Sequence, residues 1–131
     1  MTISQYAAAW LKGYDADMNI STDQLPASAN KQALIKSPND SVRTDILGHK
    51  TVTAYLRFYL SMPSTSDAQR VSNQEYLEAL QNWADSHEHP TAAFPAGTLD
   101  SISVSGTYGL TAQNETISIY QISITIIYRK D

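Results

Sequence analysis

Cysteine is absent from the 131 residues. That excludes a disulfide scaffold, a thiol nucleophile and Cys-ligated zinc, and it fits a protein made in a reducing cytoplasm. Cations are also few: nine Lys and Arg against thirteen Asp and Glu leave a net charge of −4. The basic footprint that neutralises phosphates is missing, so tight nucleic-acid binding is not expected. No apolar run approaches the roughly 20 residues of a membrane span. The opening MTISQYAAAWLKGYDAD has no basic leader and carries Lys12 and Asp15 early, unlike a signal peptide. No repeat, low-complexity tract or domain boundary is visible, so the expectation is a single domain over residues 1–131. Hydrophobic residues make up 42% and charged residues 17%, a globular composition without the charge excess of a disordered chain. A chain of this length buries about two-thirds of the surface it would expose unfolded.

What is present is mostly periodicity. Ile3, Ala7, Trp10, Leu11 and Tyr14 recur at helical spacing, with Thr2 or Ser4 as N-cap and Gly13 near the stop. Asp15–Asn30 is polar and contains Pro26, which reads as loop or extended edge. QALIKSP and SVRTDILG read as two short strands of a hairpin around SPND. In KTVTAYLRFYLSMP, Val52, Leu56, Phe58, Leu60 and Met62 alternate with Thr51, Thr53, Tyr55, Arg57, Tyr59 and Ser61. Period two over a dozen residues predicts a long strand ended by Pro63. A helix follows between Ser66 and about His87, with SDAQ and SNQE as alternative starts and Ser72 the expected vicinity of the first turn. LDSISVS is the next strand, with Ile102 and Val104 inward, and Gly106 and Gly109 bracket a turn region running through TAQNET.

The closing stretch TISIYQISITIIYRKD puts Ile117 and Ile119 in one phase and Tyr120, Ile122, Ile124, Ile126 and Tyr128 in the other. A β-bulge at Ile119/Tyr120 would reconcile the two, leaving a core half and an outer half. The element order describes an α+β domain: a mostly antiparallel β-sheet with two α-helices packed on one face.

Chemistry is sparse. LGHKT, Leu47–Thr51, holds a Gly and a Lys, but a Walker A needs a Gly separated by four residues from an adjacent Gly-Lys pair, and here His49 intervenes between Gly48 and Lys50; an ordinary turn is the expectation. HEHP, His87–Pro90, lacks the i, i+3 or i+4 spacing of ligands on a helix face and reads as a helix end. Asp15 with Asp17, and Asp85 with Glu88, lie at helix ends or in polar loops where solvated charge is the default. No Ser sits in a Gly-x-Ser-x-Gly elbow, and Trp10 and Trp83 fall on apolar helix stripes. No catalytic, metal or cofactor site is expected, and the chain is read as non-enzymatic. Tyr55, Arg57 and Tyr59 stand apart, because Tyr and Arg are enriched where protein surfaces meet. Together with Ile117 and Ile119 they are the candidate subunit contacts.

The segments WLKGY, DQLPASANKQALIKSP, ILGHKTVTAYLRFYL, QRVSNQEYLEALQNWAD and YQISITIIYRKD, in this order across nearly the whole chain, resemble a family of minor capsid proteins of tailed phages and prophages of Gram-positive hosts. These look like tail terminators of the long-tailed type. The resemblance implies a virion protein of the head–tail junction, assembled in the bacterial cytoplasm, that forms a homo-oligomeric ring, commonly a hexamer. It further implies two partners, the tail tube protein and the head–tail connector protein, with no cofactor. A head-completion or connector adaptor is the alternative in the same virion, and a small ligand-binding or enzymatic α+β domain is the alternative outside it. In the ring reading, loops at Pro63–Val71 and Pro90–Thr98 would order on contact.

Overall fold

Thr2 opens the first helix by a reciprocal exchange. Its hydroxyl accepts from the Gln5 backbone N–H at 3.1 Å, and the Gln5 side chain accepts from the Thr2 N–H at 2.8 Å. This capping box satisfies two donors that a helix start leaves unpaired. Helix α1, Ile3–Leu11, then buries Tyr6, Ala7, Trp10 and Leu11. The computed structural model describes residues 2–23, 31–86 and 94–130. Within them α1 is followed by strands β1 (Ile20–Thr22), β2 (Lys31–Lys36), β3 (Ser41–Thr44) and β4 (Lys50–Pro63). Helix α2 (Asp67–Ser86) and strands β5 (Thr98–Gln113) and β6 (Ile117–Lys130) complete the order.

The strands form one sheet in the order β1-β2-β4-β6-β5, with β3 also paired to β4. All pairings are antiparallel except β1 with β2. The expected α+β architecture is what is observed, and both helices lie on one face. Val52, Ala54, Leu56, Phe58 and Leu60 of β4 and Tyr120, Ile122, Ile124, Ile126 and Tyr128 of β6 share a core with Ala7, Trp10 and Leu11 of α1 and Leu77, Leu80 and Ala84 of α2. Ile102 is buried with them and Val104 packs against the cluster. Where the helices meet, Trp10 and Trp83 pack with ring centres 5.0 Å apart and planes inclined at 42°. Beside them the Tyr14 hydroxyl donates to the Tyr76 carbonyl at 3.0 Å, and the Tyr76 hydroxyl donates to the Asp15 carboxylate at 2.9 Å. Burial, and then that carboxylate, hold the Tyr76 phenol well above its ordinary pKa.

Four expectations change. First, β2 and β3 are not a hairpin. They lie end to end along the same edge of β4, β2 against Leu56–Ser61 and β3 against Lys50–Thr53. The SPND residues bridge the gap, with Ser37 N–H donating to the Tyr55 carbonyl at 2.8 Å and Lys36 paired to Asp40 at 2.8 Å. The long edge of β4 offers backbone partners to both strands, so neither needs the other.

Second, α2 starts at Asp67, not near Ser72. The Ser66 hydroxyl accepts from Gln69 N–H, and the Gln69 side chain accepts from Thr65 N–H. This cap fixes a polar first turn that apolar spacing does not reveal. The stretch from Pro63 to Val71 is therefore the end of β4 and the start of α2, not a free loop; the first residues of Pro90–Thr98 lie outside the described ones, as do Gln24–Asn30 of the expected polar loop.

Third, β5 runs on through the expected turn to Gln113, with register shifts between Leu99 and Ser101, Ser105 and Gly109, and Leu110 and Ala112. The turn is confined to Asn114–Thr116, where the Asn114 side chain accepts from Thr116 and Ile117 N–H at 2.9 and 2.8 Å. Fourth, β6 has no bulge. It pairs with β4 without a slip from Lys50 opposite Lys130 to Pro63 opposite Ile117. Ser118, fully buried, continues the inward phase below Tyr120. The unbroken ladder to β4 holds β6 straight, and β5 absorbs the extra residues instead.

Candidate interaction face

Directly opposed residues of antiparallel strands project from the same side of a sheet. Tyr55 is opposite Thr125, Arg57 opposite Ser123, and Tyr59 opposite Gln121. Further along the same two strands, Ser61 is opposite Ile119 and Pro63 opposite Ile117. All five candidate contacts thus stand on one side of the sheet, the side away from both helices. They run from Tyr55 to the Ile117 position over roughly 27 Å at the rise of an antiparallel strand. Ile117 and Ile119 are half-buried and outside the core cluster, Tyr59 is half-buried, Arg57 is exposed and Tyr55 is 43% exposed.

Register adds residues that no single strand announces. Lys31 is opposite Ser61, Ile35 opposite Arg57, Arg43 opposite Thr51, and Arg129 opposite both Thr51 and Thr98. Ala33 and Ser61, both small and buried, lower the floor between the larger side chains. Ser41, Arg43, Thr51, Thr53 and Ile127 line a shallow depression of about 360 Å³. The strand positions registered to this side carry Lys31, Arg43, Arg57 and Arg129 and no Asp or Glu. Asp100, in the irregularity between Leu99 and Ser101, lies 3.4 Å from Arg129. In a chain with a net charge of −4, this side of the sheet is cationic.

Leu47, Gly48 and His49 lie in the turn between β3 and β4, as expected of LGHKT, while Lys50 and Thr51 already belong to β4. One Asp45 carboxylate oxygen accepts from Leu47 and His49 N–H, each at 2.9 Å, and Gly48 takes a positive φ of 86°. The turn displays Ile46 at 101% and Leu47 at 77% exposure, residues that the sequence pattern assigns to the strand SVRTDILG. The His49 N–H, and then that of Leu47, hold the Asp45 carboxyl below its ordinary pKa. A depressed folded-state pKa stabilises the turn above the unfolded carboxylate's pKa and loses that contribution as pH falls through the folded value. The protection factors of the Leu47 and His49 amides, measured against the intrinsic exchange rate at each pH, are therefore expected to fall on acidification below the usual carboxylate range. Unchanged protection at those two amides would contradict it.

Of the remaining candidates, Asp15 accepts from Tyr76 and from Asp17 N–H and ties the end of α1 to α2. Glu88, His87 and His89 lie outside the described residues, as does all of HEHP. Among the described residues no group of three His, Cys, Asp or Glu could hold a metal ion, and no helix is long and apolar enough to cross a membrane. Compared with models of known protein families and with curated proteins, the chain matches none.

Proposed function

We propose that this chain is a structural, non-enzymatic subunit of the head–tail junction of a long-tailed phage or prophage, a tail-terminator-like protein that forms a ring on the tail tube and joins it to the head-side connector. What carries the reading is the gathering of Tyr55, Arg57, Tyr59, Ile117 and Ile119 on the side of the sheet that the helices leave uncovered. Large, rigid side chains with directed polar groups suit subunit contact. A sheet flanked by helices on one side only must present its other side to solvent or to a partner.

The test is native mass with and without tail tubes. Wild type is expected as a ring-sized assembly, or as a monomer that becomes one on meeting tubes. Replacing Ile117 and Ile119 together by Ser is expected to reduce the assembly to monomers while the melting temperature moves by only a few degrees. The same pair of changes at Ile122 and Ile124, both in the core, is expected to unfold the domain. A wild-type chain that stays monomeric at high concentration and leaves tube length unregulated would sink the reading.

A further inference from the structure

We propose that the cationic side of the sheet is occupied by helix α2 of a second copy of this chain, in a front-to-back contact; this rests on reading that side as a self-contact. The argument begins on the helix. Val71, Glu75, Glu78, Asn82 and Asp85 are spaced 4, 3, 4 and 3 apart, which places them on one stripe of α2. All five are exposed, Val71 at 52%. The buried set Asn73, Leu77, Leu80 and Ala84 occupies the opposite stripe, so the acidic stripe points straight away from the subunit's own core.

One molecule thus presents acids on its helix side and cations on its sheet side. Lys31, Arg43 and Arg57 have no carboxylate registered among them, whereas Arg129 has Asp100. The dimensions fit part of the row: Glu75 to Asp85 spans about 15 Å of the helix axis, whereas the registered cations spread along β4 from the Thr51 to the Ser61 position over roughly 34 Å. Seating Val71, the exposed apolar residue of the stripe, at the isoleucine end of the sheet by Ile119 brings Glu75 and Glu78 to within roughly two strand positions of Arg57.

Two identical sheet faces would instead set Arg57 and its neighbours against their own copies, and like charges brought together are penalised. A sheet-to-helix contact uses two different patches, so a pair keeps the sheet face of one copy and the helix of the other unfilled and can bind a further copy at either end. Such a contact propagates and closes into a ring when the rotation per step allows.

The experiment is charge reversal followed by native mass and sedimentation at low and high salt. Arg57→Glu and, separately, the pair Glu75→Arg with Glu78→Arg are each expected to weaken assembly at least tenfold in the association constant. Mixing the two variants is expected to restore it, because each then meets the other's reversed patch, and so is combining all three changes in one chain. Raising the salt should weaken wild type, as screening of exposed charge requires. Arg43→Glu serves as a second face variant should Arg57→Glu fold poorly by circular dichroism. If each variant weakens assembly and neither mixing nor combination restores it, α2 is the wrong occupant while the sheet face remains a self-contact. If the face variants assemble like wild type, the cations are not at the contact and the inference falls. A wild type that never self-associates sinks both this inference and the self-contact on which it rests.

Discussion

Phe58→Ala is expected to destabilise the domain by about 3–5 kcal/mol, the range for emptying a packed aromatic site. Phe58 is wholly buried, on the strand between β2 and β6, with Leu34 and Ile122 directly opposed to it on either side. Because these neighbours are held by continuous ladders, they cannot move together to fill the void, and the cavity term adds to the lost transfer energy. Against a typical total of about 5–15 kcal/mol, the change removes about a fifth of the stability or more. Thermal and urea denaturation should show a melting temperature lower by roughly 10–20 °C with a proportionate shift in midpoint. A loss below about 1 kcal/mol would mean that this part of the core is loosely packed.

The second large effect comes from a single hydrogen. Gly97 has φ of 144°, and a Cβ built there would stand 2.1 Å from the Arg129 carbonyl oxygen. That oxygen belongs to the backbone of β6, so relief requires parting β6 from the chain that enters β5. Gly97→Ala is expected to cost about 3 kcal/mol, the upper end of what an enforced backbone conformation stores. Gly109→Ala is the matched control, since nothing lies within 4 Å of its Cβ and its φ is not positive. There the change should lie between neutral and a gain of about 1 kcal/mol, through the unfolded chain's lost freedom. Equal melting temperatures for the two variants would overturn the comparison.

Strand β4 and helix α1 were legible in the sequence because their patterns are regular and their limits marked: alternation closed by Pro63, and an apolar stripe between Thr2 or Ser4 as N-cap and Gly13. The inward phase of β6 was legible for the same reason, whereas its supposed bulge was not real. Ser118 reads as polar and therefore outward, yet it sits in the inward phase because the ladder to β4 overrides one small hydroxyl. The far half of β5 was hidden by Ser, Gly and Thr, residues whose turn propensity lost to pairing along β6. For α2, SDAQ and SNQE both offered a cap, and the apolar spacing pointed to the later one because the first turn, polar throughout, has no apolar period.

The candidate face was partly legible. Alternation within β4 singled out Tyr55, Arg57 and Tyr59, and Ile117 and Ile119 stood out by phase. That the two groups lie on one side, and that Lys31, Arg43 and Arg129 join them, depends on register between strands distant in sequence. A single chain's pattern carries no information on that register until the partners are known. Ile46 and Leu47 were missed because two aliphatic residues beside a strand look like its continuation. The local signal lay in Asp45 and Gly48, which tie off a turn.

The place of β6 in the sheet has a consequence for the newborn chain. It follows every other strand in sequence, yet it lies between β4 and β5. While a ribosome is still adding Ile117–Lys130, β4 has no partner on one edge, and Leu56, Phe58 and Leu60 lack the isoleucines that cover them. The growing polypeptide therefore carries an open strand edge and an uncovered apolar surface until Ile117–Lys130 emerges, a state prone to off-pathway association. Nascent chains stalled before residue 117 are expected to be protease-sensitive and to bind chaperones, and chains released after Lys130 to resist digestion.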